Sequence, residues 1–192
     1  MKELAEMSLE ELWQLFPIIL KEHRSEYETW YHEEKQHLLH LLQPYGILRI
    51  SHIGSTSVKG LIAKPIVDIL LELPDDYEID RIAALLRQHG WIPMQQDDAG
   101  KTLDLNKGYT PDGFAEKVYH LHVKPYGDWD ELYFRDYLRQ HSDAARRYEE
   151  LKLQLKEQYE HNRDAYTDAK SGFVKEYTDK ARQEYPQRYL PQ

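Results

Sequence analysis

The sequence predicts an α/β (α+β) fold: a mixed sheet in the middle of the chain, flanked by helices and followed by a helical C-terminal region. Three observations carry this. A helix-start signal and helical apolar spacing come first, and short β-branched runs bounded by Gly and Pro follow. From Asp130 onward the chain is helical, charged and rich in tyrosine. The expected organisation is one domain over 1–192, with a helical part at 8–43, a sheet core at 45–127 and a helical C-terminal part at 128–190.

Ser8-Leu9-Glu10-Glu11 has the form of a capping box, so a first helix is expected through Leu15 and Phe16, ending near Pro17. A second is expected from about Glu22 to Leu42, where Trp30, His37, Leu38, Leu41 and Leu42 approximate one stripe. Pro44-Tyr45-Gly46 breaks it. Ile47 to Ile53 alternates in part and reads as a strand. Ile66 to Leu73 is almost continuously apolar, which predicts a strand covered on both faces. A helix from Ile79 to His89 is expected to end at Gly90. Strands follow at Trp91–Gln95, Thr102–Tyr109 and Glu116–Lys124, the last two joined by the turn Thr110-Pro111-Asp112-Gly113. Beyond Asp130, helix breaks are expected near His141-Ser142 and His161-Asn162.

Composition narrows the function. Net charge is −9, from 34 acids against 25 lysines and arginines, so general binding to nucleic acid is not expected, although a local basic pocket remains open. Cysteine is absent, which removes disulfides, thiolate metal sites and cysteine nucleophiles. No run has membrane-helix length, the acidic first residues lack a signal-like apolar core, and cytoplasmic residence is the expectation. His32, His37 and His40, interleaved with Glu33 and Glu34, read as a solvated helix face. The charges between Arg146 and Lys156 read as intrahelical pairs.

The chemistry concentrates in residues 52–70, His52-Ile53-Gly54-Ser55-Thr56-Ser57-Val58 and then Ala63-Lys64-Pro65-Ile66-Val67-Asp68-Ile69-Leu70. Gly54 lets the backbone approach a ligand closely, and the Ser55 and Thr56 hydroxyls with nearby amides form a candidate anion cradle. Asp68 interrupts an apolar strand, where a lone carboxylate is costly to bury without a partner. Asp68, Leu70 and Glu72 share one strand face, as do His120 and His122 on a later strand. The histidines are candidates to bind phosphate, to join a metal site, or to act as acid and base near neutral pH. Lys64, Lys107, Lys124 and Arg135 are candidate partners for a polyphosphate.

These two segments, with Lys107-Gly108, His120-Leu121-His122-Val123 and Phe134-Arg135-Asp136-Tyr137-Leu138-Arg139, resemble the GrpB family of the nucleotidyltransferase superfamily over roughly residues 45–180. The resemblance implies a nucleotidyltransferase-like mixed sheet. It implies that Gly54 and Ser55 hold phosphate, and that Asp68 holds magnesium or manganese, with Glu72 as a distant second acid. Leu70 stands where the superfamily places its second metal-binding acid, and leucine cannot ligate a metal. Two functions are therefore expected. One is transfer of a nucleotidyl group from a nucleoside triphosphate, with Asp68, His120 and His122 as catalytic residues. The alternative is a degenerate module that binds a nucleotide or another phosphorylated small molecule without turnover.

Overall fold

The computed structural model describes residues 2–97 and 99–191. In chain order the elements are α1 (Leu9–Leu15), α2 (Glu26–Leu41), β1 (Arg49–Ile53), β2 (Val67–Leu73), α3 (Ile79–Gln88), β3 (Ile92–Gln96), β4 (Leu103–Thr110), β5 (Gly113–Pro125), α4 (Asp130–Gln140), α5 (Ser142–Tyr159) and α6 (Arg163–Glu184). The strands form one mixed sheet of order β1-β2-β5-β4-β3. β2 and β5 run parallel, and the other neighbours are antiparallel.

The two faces of the sheet do different work. Alternate side chains of β2, Val67, Ile69, Leu71 and Leu73, pack with Leu105, Leu121 and Val123 beneath α2 and α3. This is the main core. Asp68, Leu70 and Glu72 project the other way, toward α4–α6. There Leu70 is fully buried with Ile53 and Leu132. β2 is thus covered on both sides, as its nearly unbroken apolar run predicts.

The Ser8–Glu11 capping box forms at the start of α1: the Ser8 amide donates to Glu11 at 2.8 Å and Glu11 N to Ser8 Oγ at 3.2 Å. Three boundaries differ from the sequence expectation by two residues or more. β5 starts at Gly113, earlier than Glu116, because pairing with β4 runs down to Thr110 and Gly113 at the hairpin turn. α2 starts at Glu26, later than Glu22, because Lys21 is extended and exchanges backbone hydrogen bonds of 2.8 and 2.9 Å with Ala63. β1 starts at Arg49, after Gly46 adopts a left-handed conformation at φ 67°. Among the described residues no helix is long and apolar enough to cross a membrane.

A cationic cavity at the turn after the first strand

β1 ends at Ile53, which pairs with Asp68 across the antiparallel ladder. The chain then turns at Gly54, whose φ of 69° and ψ of −175° lie in a region open essentially to glycine alone. A single 3-10 turn, Ser55–Ser57, follows, and Ser57 Oγ donates to the Gly54 carbonyl at 2.6 Å. A Cβ on Gly54 would collide with the Asp68 carboxylate, coming within 2.9 Å of its Cγ. The turn and the aspartate therefore touch, and both line one cavity. Gly54→Ala is expected to lose about 1–3 kcal/mol of stability from backbone strain alone. A denaturation midpoint equal to that of the parent would contradict this placement.

The strand register sets a row of polar side chains beside Asp68. Asp68 pairs with His120, and His122 lies between Leu70 and Asp104. His120 Nδ1 is 3.0 Å from Asp68 Oδ1, and His122 Nδ1 is 2.7 Å from Asp104 Oδ1. His120 Nε2 lies 2.8 Å from the Tyr109 hydroxyl and 3.5 Å from Arg163 Nη2. A guanidinium only donates, so Nε2 is the acceptor and Nδ1 carries the proton toward Asp68.

Titration follows from these contacts. Burial works to raise the Asp68 carboxyl, but the His120 hydrogen bond and the cationic surroundings outweigh it and hold the group below its usual range. Burial pushes the His120 imidazole down against the pull of Asp68, with help from Arg163 and Lys64. At His122 burial is overcome by the Asp104 carboxylate, with Asp68 and Glu131, and the imidazole is raised.

Opposite this row stand four cations: Lys64 from the segment before β2, Lys152 from α5, and Arg163 and Lys170 from α6. They line a cavity of about 230 Å³ in which Asp68 is the one carboxylate among the described residues. Lys152 is 2% exposed; its ammonium donates to the Ile62 carbonyl and lies 3.2 Å from Ser55 Oγ. Lys170 and Lys64 lie 4.5 and 5.7 Å from the Tyr166 ring, and Lys152 lies 4.7 Å from the Tyr148 ring. Tyr166 lines this cavity, and its buried hydroxyl has no hydrogen-bond partner among the described residues.

Burial, then repulsion from Lys170, Arg163 and Lys152, pushes the Lys64 ammonium down to about 7, against the pull of Asp68. Burial and Lys170 bring Lys152 down to about 7, against Glu149. Burial brings Lys170 to about 8, with Asp68 opposing and Arg163 assisting. Burial is thus the main cause of these depressed values, and repulsion among the cations adds to it.

The structure brings together Gly54, Ser55, Thr56, Lys64, Asp68, His120 and His122 at this cavity. The Thr56 hydroxyl is committed elsewhere, to His52 Nε2 at 2.9 Å and the Ile66 carbonyl at 3.1 Å. Three expected residues are corrected. Lys107 pairs in register with Tyr119, not His120, so it emerges on the opposite face and binds Glu34 at 2.8 Å. Arg135 donates to Asp136 at 2.8 Å, Tyr189 at 3.0 Å and the His52 carbonyl at 3.2 Å, fastening α4 to β1. Glu72 is fully buried, accepting from Arg49 Nη2 at 2.7 Å and the Gly127 amide at 3.1 Å, so its oxygens are already engaged. Lys124, which pairs with Glu131 at 2.5 Å, lines a neighbouring cavity.

The donor set does not fit a pair of divalent ions. Leu70 is packed in hydrocarbon, Glu72 is held by Arg49, and Asp104 is held by His122. Among the described residues no group of three or more His, Asp or Glu side chains is arranged to hold a metal. Sequence reasoning missed Lys152, Arg163, Lys170, Tyr148 and Tyr166. Their signal was the spacing Tyr148–Lys152 and Arg163–Tyr166–Lys170, each on one helix face.

Comparison with known proteins agrees with this architecture. A crystal structure of conserved protein GrpB from Enterococcus faecalis superposes with a TM-score of 0.74 at 29% identity, covering 87% of this chain and 99% of that one. A UPF0157 protein of Pseudomonas aeruginosa is 41% identical over 128 residues, 66% of this chain and 52% of its own length. The chain thus spans about half of that relative. The glutamate-rich protein GrpB of Alkalihalophilus pseudofirmus is 31% identical over 164 residues, 83% of this chain and 92% of its own. The GrpB protein family pattern matches residues 17–180, and the chain belongs to the GrpB family.

Proposed function

We propose that this protein binds a phosphorylated small molecule in the cavity between the Gly54–Ser57 turn and α5–α6, and that it does so without two-metal nucleotidyl transfer. One observation carries the reading: Lys64, Lys152, Arg163 and Lys170 converge on a cavity with a single carboxylate among the described residues. Holding that much like charge together is costly, and a polyanion relieves the cost. Ser55 Oγ and the buried Tyr166 hydroxyl supply neutral hydrogen bonds to phosphate oxygens. Magnesium or manganese arriving with the ligand would find Asp68 as its protein carboxylate.

Isothermal titration with inorganic pyrophosphate, with and without magnesium, tests this. Binding is expected in both conditions, and a flat titration in both would overturn the reading. Its pH dependence follows from the lysines. Their folded values of about 7, 7 and 8 lie below 10.5, so the folded chain holds fewer protons than the unfolded chain between about pH 7 and 10.5. Their contribution to stability therefore rises with pH across that window and is lost as pH falls toward 7. Anion binding needs the charged forms and runs the opposite way. After allowance for the titration of pyrophosphate itself, affinity is expected to fall as pH rises from 6.5 to 9. Asp68, His120, His122 and Glu149 also face these groups, and Asp68 stays ionised throughout the range.

A second reading, nucleotidyl transfer, is favoured by the contact between Gly54 and the ionised Asp68. It predicts pyrophosphate release from a nucleoside triphosphate that disappears in Asp68→Ala. Binding with no product under any metal would leave the module alone standing.

A further inference from the structure

Lys64 stands apart among the cations of the cavity. Its backbone is pinned on both sides. Ala63 exchanges hydrogen bonds of 2.8 and 2.9 Å with Lys21, Pro65 follows, and the Ile66 amide donates to the Lys64 carbonyl at 2.7 Å. Its side chain is uncommitted. Lys64 is partly buried and lines the cavity, and among the described residues its nitrogen makes no hydrogen bond and no ion pair; the Tyr166 ring lies 5.7 Å away.

The other two lysines differ. Lys152 is 2% exposed and committed to the Ile62 carbonyl and Ser55 Oγ, so a ligand's carbon skeleton does not reach its nitrogen. Lys170 lies nearer the Tyr166 ring, at 4.5 Å, which favours its charged form. A desolvated lysine beside other cations is an activated amine, the setting in which lysines form imines with carbonyl compounds. Burial first, then Lys170, Arg163 and Lys152, favours the uncharged form of Lys64 against Asp68. At a value of about 7, roughly half of it is a free amine in neutral solution.

We infer that the ligand is a short-chain phosphorylated aldehyde, and that Lys64 Nζ attacks its carbonyl carbon to form an imine. Lys152, Arg163 and Lys170 remain to hold the phosphate. The cavity, about 230 Å³, lies below the range of about 300–1,000 Å³ that suits drug-sized ligands, so the carbon chain is short and its carbonyl unhindered. The nitrogen lone pair adds to carbon as the C–O π bond opens, giving a carbinolamine. Its hydroxyl then leaves as water, taking both amine hydrogens, as the C=N bond forms. Lys170, against the same Tyr166 ring, lends a proton to the departing oxygen and regains one from nitrogen. No electrons are gained or lost. The imine rests on the phosphate reading above and adds the reacting group.

Trapping tests it. The full chain is incubated at pH 7 with glyceraldehyde 3-phosphate and cyanoborohydride, which reduces an imine to a stable amine, and the label is mapped by peptide mass spectrometry. The label is expected on Lys64, formed at least about tenfold faster than with unphosphorylated glyceraldehyde, and suppressed by pyrophosphate; tenfold is the loss of one hydrogen bond to a charged group. Lys152→Met is expected to slow labelling by weakening the hold on phosphate while leaving the label on Lys64. Lys64→Arg, which keeps the charge, is expected to lose the pyrophosphate-sensitive label, and thermal unfolding confirms that both variants are folded. Label on Lys170, label spread over exposed lysines, or equal rates with and without the phosphate group overturns the imine. Calorimetric binding of pyrophosphate by the parent then leaves the phosphate reading intact. Failure of pyrophosphate to bind removes that reading, and the imine with it.

Discussion

Lys152→Met is expected to make the protein more stable and to weaken pyrophosphate binding by about 10- to 100-fold, two changes of opposite benefit in one substitution. The binding loss is that of a hydrogen bond to a charged group, about 1.5–3 kcal/mol. The stability gain comes from the same burial that makes the lysine available to an anion. Bringing an ammonium from 10.5 to about 7 corresponds to a penalty on the order of 4 kcal/mol at neutral pH. Methionine fills much of the same volume without charge. It abandons the Ile62 carbonyl, which costs about 1–3 kcal/mol of the gain. The net expectation is a few kcal/mol at most, read as a raised denaturation midpoint at pH 7. Stabilisation with lost binding is the signature of a residue kept for a ligand. A variant that binds pyrophosphate like the parent would remove Lys152 from the site.

Arg49→Met is expected to destabilise by about 3–5 kcal/mol, because it strands the Glu72 carboxylate in a place without water. Glu72 is fully buried, and its oxygens meet Arg49 and the Gly127 amide. Arg49 also lies 4.8 Å from the Tyr126 ring and 5.2 Å from the Tyr189 ring, so several segments lose a common anchor. At this chain length such a loss lowers the thermal midpoint by roughly 10 °C. The double variant Arg49→Met, Glu72→Met is expected to recover most of it, since replacing both members of a buried pair is far milder than removing one. Equal damage in single and double variants would count against the ion pair as the cause. This pair is why Glu72, on the correct strand face, is no metal ligand.

The strand residues of the candidate site were legible for a simple reason. Side-chain direction in a strand repeats every two residues, so Asp68 with Glu72, and His120 with His122, had to share faces wherever their strands lay. Gly54 was legible because a small-residue turn between two strand patterns predicts a backbone that other side chains avoid. Lys107 was misplaced because a face assignment depends on register, and one residue of register reverses it. Arg135 failed differently: an arginine on a helix beside the sheet looks the same in sequence whether it meets a ligand or Asp136.

Local chain chemistry alone thus determined the sheet core, the constrained bend, the single acid ahead of Leu70 and the pair of histidines. Folding decided which of them meet. Three of the four cations, Lys152, Arg163 and Lys170, come from α5 and α6, some ninety residues and more beyond the turn, as the Lys152–Ser55 contact illustrates. Helix periodicity predicts that Arg163, Tyr166 and Lys170 share a face, but not what that face covers. That answer depends on how α5 and α6 dock over one side of the sheet, a matter of packing between distant segments.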